Sequence, residues 1–325
     1  MPRELWFTGP GRVELREAGS IAVLAPGQLR ARALASGISQ GTELLLFNGE
    51  GPTPFDPSLD APGALTYPRR YGYAWVGEVT ESRSEQHAPG TRVFGLLPHG
   101  DEHVYEGARA RALPKGVPPQ RAVLAANLET AVNVAWDAGI TLGDEVVVLG
   151  GGVVGCLVGW LAKRCGAHLV RVVEPSAVRR VAALELGVDE AVTPEELAPS
   201  ACADVVIEAT GNPSCLARAI ALARDEATIV VASFYGARVA EVPLGADFHR
   251  RRLTLRASQV SRLPPSRSAG WSFDRRFALV ADLLQNPRLD ALVAAPVPFS
   301  EAPAVYARLS RSPAESLQIV FDYAG

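Results

Sequence analysis

The sequence predicts an α/β protein in which a doubly wound parallel sheet is inserted into a discontinuous β-rich domain. From about Glu129 to Arg256, apolar strands alternate with helices, which is typical of a parallel sheet with crossover helices. Residues 1 to about 120 show short apolar alternations separated by Gly and Pro, which favour a compact, barrel-like β domain. A final strand is expected to rejoin that domain. The predicted limits are 1–125 and 263–325 for the β-rich domain and 126–262 for the inserted domain.

The bulk composition fits a globular protein of two domains. The chain has 325 residues, of which 48% are hydrophobic and 21% charged, with a net charge of −3. This balance gives no support to nucleic acid or an anionic membrane as a partner. The sequence has neither the run of about 18 apolar residues that a membrane span needs nor a signal-peptide pattern. We therefore expect a soluble, cytoplasmic protein.

The cysteine pattern gives no sign of a disulfide framework or a thiolate metal site. The four cysteines stand at positions 156, 165, 202 and 215, and none forms a CxxC motif or has a histidine at metal-ligand spacing. We expect no resident metal.

The strands of the β-rich domain are short, and one loop stands out between them. The predicted strands lie at Gly11–Leu15, Tyr73–Val79 and Gly90–Gly95. The tract from Asn48 to Tyr67 is rich in Pro and Gly and has no periodicity. Such a tract is either a functional surface loop or a disordered one, and a functional loop would suggest a substrate larger than a simple alcohol.

The inserted domain shows a regular alternation of strands and helices. In chain order, the prediction is a helix at 130–138, a strand at 145–149, a helix at 153–164, a strand at 168–173, a helix at 176–186, a strand at 204–208, a helix at 215–223, a strand at 227–233 and a strand at 252–256. A helix at 275–284 and a strand at 317–321 complete the chain.

The most informative motif follows the first strand of the inserted domain. Gly150, Gly152 and Gly155 stand at GxGxxG spacing between that strand and the helix that begins at Val153 and Val154. In this context the first glycine permits a tight turn, the second lets the backbone approach a pyrophosphate, and the third allows close packing of helix on strand. The helix N-terminus directs amide hydrogens at the phosphates. The motif predicts a Rossmann dinucleotide-binding domain, although a glycine-rich turn in an ordinary α/β domain would look similar.

The residue that ends the second strand supports a nicotinamide dinucleotide. Glu174, followed by Pro175, is placed to accept hydrogen bonds from the adenosine ribose hydroxyls and to repel a 2′-phosphate, which favours NAD over NADP. Arg179 and Arg180 lie one helical turn further on and could soften that preference. Ligand contacts in such sheets come from the carboxyl ends of strands. Further cofactor contacts are therefore expected from Ala209, Thr210 and Gly211 and from Ser233, Phe234 and Tyr235.

The order of these features resembles the medium-chain dehydrogenase/reductase superfamily, the alcohol dehydrogenase-like proteins, along nearly the whole chain. The resemblance rests on Ser36–Glu43 (SGISQGTE), Tyr71–Ala74, Pro89–Val93, Gly143–Glu145 and Asp204–Gly211. It implies a GroES-like catalytic domain, a Rossmann domain, a nicotinamide cofactor, a small-molecule substrate and a homodimer.

The chain departs from the zinc-dependent members of that superfamily. Where they place a cysteine this chain has Ser39, or Gln40 with a different gap, and where they place His-Glu it has Tyr73-Ala74. A further cysteine expected near residues 125–127 and the four-cysteine structural lobe are also missing. Hydroxyl, phenol and amide groups do not replace thiolate and imidazole around Zn²⁺. The motif SGISxGTE, with Pro98-His99 and Glu129–Asn133, is similar to a zinc-free branch that includes the bacteriochlorophyllide dehydrogenase-like proteins.

Without zinc, side chains must position the substrate and handle its proton. Tyr73 could donate a hydrogen bond to a carbonyl oxygen, or act as a general acid if its pKa were lowered. Ser39 and Thr42 could relay a proton, and Glu43 could orient one of these groups. His99, in a Pro-rich turn, is a candidate acid or proton exit. Asn127 and Glu129 could face the nicotinamide from the domain junction. Each residue also has a structural explanation without a catalytic role. Tyr73 could be an aromatic residue of the core, His99 a solvated loop residue and Glu43 a carboxylate that caps a turn. Glu129 could be a carboxylate that is favoured at the start of a helix.

A basic segment from His249 to Arg252, with Arg256 beyond it, admits two interpretations. It could clamp an anionic substrate, or it could be a solvated strand edge or a subunit interface. The alternation in Arg252–Arg256 places the arginines on one face and favours the second interpretation.

Three functions remain open at this point. The leading hypothesis is a zinc-independent NAD(P)-dependent oxidoreductase that interconverts an alcohol and a ketone on a medium-sized substrate, with a biosynthetic substrate as one option. The alternatives are an NAD(P)H-dependent reductase of an activated C=C bond and a non-catalytic nucleotide-binding redox sensor or scaffold.

Overall fold

The structure is a computed structural model, which describes residues 1–19, 23–51, 66–198, 200, 202–312 and 317–324. Most of the Pro- and Gly-rich tract between Asn48 and Tyr67 lies outside the described residues. The chain forms two compact units, which are described separately. The first comprises Met1–Ala126, Phe277–Pro313 and Gln318–Gly325, and the second comprises Asn127–Arg276 and Ala314–Leu317. The boundaries between the two units lie at 126/127 and 276/277. The boundaries predicted from the sequence are 125/126 and 262/263.

The strands and helices follow one another in chain order. The strands are β1 Arg3–Gly9, β2 Arg12–Glu17, β3 Gln28–Gly37, β4 Arg69–Arg70, β5 Trp75–Ser82, β6 Arg92–Gly95, β7 Glu102–Glu106, β8 Arg111–Ala112, β9 Glu145–Leu149, β10 Leu169–Val173, β11 Glu190–Val192, β12 Ala203–Glu208, β13 Ala223–Val231, β14 Thr254–Ala257, β15 Val297–Pro298 and β16 Val320–Asp322. The α-helices are α1 Gln40–Asn48, α2 Pro119–Ala122, α3 Ala125–Ala138, α4 Val153–Cys165, α5 Ala177–Leu186, α6 Cys215–Leu222, α7 Ala246–Arg250, α8 Phe273–Leu283 and α9 Ala302–Arg311. Short 3-10 helices lie at Gly107–Arg109, Pro287–Leu292 and Phe299–Glu301.

The first unit is built on two sheets. A three-stranded sheet has the order β2-β1-β4, and a seven-stranded sheet has the order β15-β16-β3-β5-β6-β8, with β7 paired to β3. Its core combines both ends of the chain, because Phe7 and Ile38 pack with Tyr306 and Phe321 in one buried cluster. The C-terminal strand β16 pairs antiparallel with β3. The chain therefore returns to the β-rich unit as the sequence predicts.

The second unit contains one six-stranded parallel sheet in the order β11-β10-β9-β12-β13-β14. The strand order reverses between β9 and β12, which is the switch point at which doubly wound sheets bind dinucleotides. The predicted fold class, a doubly wound parallel sheet inserted in a discontinuous β-rich domain, is confirmed.

Among the described residues, no helix is long and apolar enough to cross a membrane.

Candidate functional site

The glycine loop after β9 has no room for side chains at two of its positions. Gly150 has φ +96°, and a Cβ there would lie 2.6 Å from the carbonyl oxygen of Ala209. A Cβ on Gly155 would lie 1.9 Å from the carbonyl oxygen of Gly150. A real Cβ does not tolerate either contact, so the turn and the close packing of α4 both require glycine.

The N-terminus of α4 is open to an anion. The helix begins after Gly152, and no side chain caps it. Val153 and Val154 supply amides of the first turn, which have no acceptor within the helix itself. Such a terminus binds phosphate through its amide hydrogens and its dipole. Lys163 and Arg164 in the last turn and the left-handed cap at Gly166 complete the helix.

Glu174 lies directly after β10 and is 3% exposed. Its carboxylate accepts hydrogen bonds from the Gly151 amide at 2.8 Å and the Ser176 amide at 2.9 Å. These two backbone donors fix the side chain beside the glycine loop. Each carboxylate oxygen has a further lone pair, so the group can still accept a ribose hydroxyl.

The two arginines near Glu174 differ in what they contact. Arg179 lies 3.9 Å from the Glu174 carboxylate and is mostly buried. Arg180 donates to the main-chain carbonyls of Glu174 and Pro175. Arg180 therefore hydrogen-bonds to the main chain. Of the two arginines, Arg179 is the one that lies beside the Glu174 carboxylate.

The loops after β12 and β13 are tied together by a buried carboxylate. Glu208, the last residue of β12, accepts hydrogen bonds from the amide and hydroxyl of Thr210 and from the Tyr235 hydroxyl. Ser233 accepts the Gly211 amide at 2.8 Å. Phe234, which lies between Ser233 and Tyr235 in the sequence, is 46% exposed. Four of the predicted cofactor residues, Thr210, Gly211, Ser233 and Tyr235, thus join the two loops through hydrogen bonds.

In the first unit, three hydroxyl groups meet at the start of α1. The Tyr73 hydroxyl hydrogen-bonds to the Ser39 hydroxyl and donates to Oγ1 of Thr42 at 3.1 Å. Ser39 is the N-cap residue of α1, and Thr42 lies in its first turn. Tyr73 reaches them from the segment before β5, and all three residues are partly exposed. We call this group the hydroxyl cluster.

Behind the hydroxyl cluster, Glu43 forms the centre of a buried network. Its Oε1 accepts the Ser39 amide at 2.8 Å. Its Oε2 lies 3.0 Å from Nε2 of His99 and accepts the Tyr306 hydroxyl. Because a carboxylate only accepts, Nε2 of His99 carries the proton of their contact. The network continues from His99 Nδ1 to the Ser36 hydroxyl at 2.6 Å, and from there to the Tyr323 hydroxyl at 2.6 Å.

The contacts of Ser36, His99 and Glu43 have the connectivity of a nucleophilic triad but not its access. Ser36 and Glu43 are 0% exposed and His99 is 1% exposed. A substrate carbonyl cannot reach the Ser36 hydroxyl in this arrangement, so the three side chains are suited to holding one another in place. His99 is therefore not a solvated loop histidine. The physical reason is that Gly72, at φ +117°, leaves no Cβ where the imidazole lies.

The environment of Tyr73 sets its protonation. Burial raises the pKa of Tyr73 above its ordinary value of 10, and the nearby Glu43 charge raises it further, against the hydrogen bonds with Ser39 and Thr42 that lower it. General-acid catalysis by Tyr73 would require a lowered pKa, whereas the pKa of this phenol is raised. At neutral pH this phenol is a proton-bearing hydrogen-bond donor.

Asn127 and Glu129 belong to α3 in the second unit. Asn127 is buried. Glu129 accepts hydrogen bonds from the guanidinium of Arg276, which also donates to Asn133 at 3.0 Å. Arg276 is only 3% exposed, so Glu129 takes part in a largely buried ion pair.

The basic segment does not present its arginines on one face. Arg251 pairs with Asp247, and Arg252, at φ +54° before β14, pairs with Glu226 at 2.7 Å. Arg256 donates to the carbonyl of Asp137. The single-face alternation is wrong because the strand begins only at Thr254.

Three network residues were not found by sequence reasoning: Ser36, Tyr306 and Tyr323. Tyr306 lies in α9 and Tyr323 follows β16, 263 and 287 positions from their partners Glu43 and Ser36. A sequence pattern gives no signal for contacts at such a separation.

The described side chains do not offer a zinc donor set. No group of three His, Cys, Asp or Glu residues that could hold a metal occurs within the part of the chain that the structure describes. Two residues of the hydroxyl cluster, Ser39 and Tyr73, occupy positions compared above with metal ligands, and neutral hydroxyls are poor ligands for Zn²⁺.

Comparison with known proteins agrees with this architecture. Residues 153–272 match the family model described as "Zinc-binding dehydrogenase". The D-guloside 3-dehydrogenase of Escherichia coli (strain K12) is 26% identical over 98% of this chain and 99% of its own.

Two solved structures share the fold over 99% of both chains. One, from Sinorhizobium meliloti 1021, is described as a zinc-binding dehydrogenase bound to NADP and has a TM-score of 0.80 at 22% identity. The other is an alcohol dehydrogenase of Escherichia coli CFT073 complexed with NADH, with a TM-score of 0.78 at 18% identity.

These matches support membership of the medium-chain dehydrogenase/reductase superfamily. The fold is that of such dehydrogenases, with the β-rich unit as the GroES-like domain and the parallel sheet as the Rossmann-like domain. The similar proteins are oxidoreductases, which supports an enzyme.

Proposed function

We propose that this protein is a zinc-independent, NAD-dependent oxidoreductase that interconverts a secondary alcohol and a ketone. The observation that carries the proposal is the hydroxyl cluster of Ser39, Thr42 and Tyr73, because Ser39 and Tyr73 stand at positions where the resemblance to zinc-dependent members implies metal ligands. The same observation supports membership of the zinc-free branch of the superfamily.

The nicotinamide cofactor supplies the hydride chemistry when it is bound. In the proposed site, Tyr73 donates a hydrogen bond to the carbonyl oxygen of the ketone, where negative charge develops. Ser39 and Thr42 orient the phenol and pass a proton through their hydroxyls. Glu43 and His99 hold the start of α1 in place behind them, and Asn127 and Glu129 complete the proposed catalytic set.

The cofactor is held by the second unit. The α4 N-terminus would bind the pyrophosphate and Glu174 the adenosine ribose, with the loops after β12 and β13 beneath the nicotinamide half. Glu174 supports NAD as the preferred form, while Arg179 beside it leaves NADP as a second cofactor. Both NADP and NADH occur in similar structures.

The proposed substrate class is suggested by a relative that covers almost the whole chain. Its name assigns it the oxidation of a sugar hydroxyl at position 3. We infer a polyhydroxylated, medium-sized alcohol as substrate for this chain. A homodimer is part of the proposal: β14 lies at the edge of the parallel sheet with all four residues exposed, which leaves its edge free to pair.

The test is turnover by metal-free protein. The protein is treated with a chelator, its zinc content is measured by mass spectrometry, and NADH formation is followed with NAD+ and either a methyl guloside or sorbitol. Turnover without zinc is expected, and Tyr73→Phe should lose most of it. Activity that returns only when zinc is added would refute zinc independence. Turnover of an enone alone, with NADH, would refute alcohol oxidation.

A further inference from the structure

Glu208 is a fully buried carboxylate with an unusual set of partners. Its side chain is 0% exposed at the carboxyl end of β12. Within the described residues it forms no ion pair, and its hydrogen bonds come from neutral donors on Thr210 and Tyr235. The nearby Arg238 donates instead to the carbonyl of Tyr235. A buried charge normally needs a paired cation, and here none is shown.

The hydrogen bonds to Glu208 differ in what their partners can do. The Thr210 amide, which only donates, lies 2.8 Å from Oε1, and the hydroxyls of Thr210 and Tyr235 hydrogen-bond to Oε1 and Oε2. A hydroxyl can donate or accept, and a carboxylate can accept all three hydrogen bonds.

The position of Glu208 relates it to one half of the cofactor cleft. In a doubly wound sheet the two mononucleotides lie over the two halves, on either side of the strand-order reversal. Glu174, on β10, marks the adenosine half. Glu208 pairs with Leu149 across β9 and β12, and the two loops it joins follow β12 and β13. It therefore lies in the half that receives the nicotinamide.

Building on the nicotinamide cofactor proposed above, we propose that Glu208 positions the nicotinamide-side loops and makes the site prefer the oxidised cofactor. The nicotinamide ring carries a positive charge in NAD+ and none in NADH. A carboxylate that has no cation of its own attracts the charged ring through a medium of low dielectric constant. The reduced, neutral ring gains no such attraction, so the same site discriminates between the two forms.

The test measures affinities by calorimetry on the intact protein, with NAD+, NADH and ADP as probes. In Glu208→Gln, which keeps the shape and loses the charge, the Kd for NAD+ should rise on the order of tenfold. The Kd for NADH should rise much less, and that for ADP should stay within about twofold, because ADP occupies only the other half. An equal loss for NAD+ and NADH would show a merely structural role and overturn the proposal, as would unchanged affinities.

A second variant keeps the test decisive if Glu208→Gln does not fold. Tyr235→Phe removes one neutral donor and leaves the carboxylate charged. Both Kd values should rise by similar factors, so the preference for NAD+ stays at or above that of the wild type. A fall in that preference would overturn the proposal. Failure of the wild type to bind either dinucleotide would refute the proposed function as well, whereas normal binding with an unchanged ratio in Glu208→Gln refutes this inference alone.

Discussion

Nε2 of His99 lies 3.0 Å from Oε2 of Glu43, and neither side chain has more than 1% of its surface exposed. The removal of one partner from a buried pair leaves the other without compensation, which costs more than the pair contributes. We expect His99→Ala to lower the free energy of unfolding by about 3 kcal/mol, measured by urea denaturation. His249→Ala, at an exposed histidine of α7, is the control and should change it by less than about 0.5 kcal/mol. Equal effects of the two variants would contradict the role of the pair.

Gly72 should be less replaceable than other glycines with positive φ. A Cβ at Gly72 would lie 2.7 Å from Cδ2 of His99, whereas a Cβ at Gly90, with φ +84°, would meet nothing within 4 Å. Gly90→Ala then carries only backbone strain, on the order of 1 kcal/mol. Gly72→Ala carries strain and a displaced imidazole, so its loss of stability in the same assay should be clearly larger. Similar losses would show that the histidine moves aside freely.

Tyr73→Phe tests the hydrogen-bond donor of the proposed site. The phenol hydrogen should stabilise the oxyanion in the transition state, so kcat is expected to fall about 100-fold, with an unchanged Kd for NADH. Because the pKa of Tyr73 is raised above 10, the hydroxyl stays protonated throughout the neutral range. The rate in the reductive direction should therefore show no loss due to Tyr73 between about pH 6 and pH 9. Retention of full kcat in the variant would exclude Tyr73 from the chemistry.

Glu174 should determine the choice between the two dinucleotides. Fluorescence titration is expected to show that NADH binds at least tenfold more tightly than NADPH, since a carboxylate repels the 2′-phosphate. Glu174→Ala should abolish that preference. The variant also loses an acceptor for the Gly151 and Ser176 amides, so some affinity for both forms should be lost. Stronger binding of NADPH by the wild type would mean that Arg179 overrides the carboxylate.

His103 should make the protein sensitive to acid. Burial lowers the pKa of His103 from 6.5 to about 4, against the hydrogen bond with the Pro98 carbonyl that raises it. Between these two values the unfolded chain binds a proton that the folded protein does not, so stability falls as the pH decreases from about 6.5 towards 4. In His103→Gln, which keeps an N–H donor for Pro98, this dependence should be shallower. An identical pH dependence in both proteins would contradict the assignment.

The parallel sheet was largely predictable because its signals are local. The strand Glu145–Leu149, the glycine loop and the helix from Val153 coincide with the prediction, since each depends on residues adjacent in the chain. The strand after α6 was predicted from Ala227 but begins at Ala223, where it pairs with Ala203 of the neighbouring strand. Pairing with the neighbouring strand extends β13 by four residues that the composition of the segment does not mark as a strand.

The candidate site was predictable only in part, for a physical reason. Ser39, Thr42 and Glu43 lie on one turn of α1 and could be proposed together from their spacing. Tyr306, the partner of Glu43, and Tyr323, the partner of Ser36, come from positions far along the chain, and only the packed β-rich core brings them into contact. The burial of His99 likewise depends on tertiary packing around Gly72, which no local pattern reports.

The β-rich core draws on both ends of the chain, since Phe7 packs with Phe321 and β16 pairs with β3. A ribosome delivers the N-terminal end first, and domains fold as units during synthesis. Residues 127–276, which form most of the second unit, emerge while the first 126 residues still lack their closing strand and the tyrosine that hydrogen-bonds to Glu43. The nascent chain must therefore carry an incomplete β-rich unit, with apolar surface exposed, until the strand Val320–Asp322 has been made.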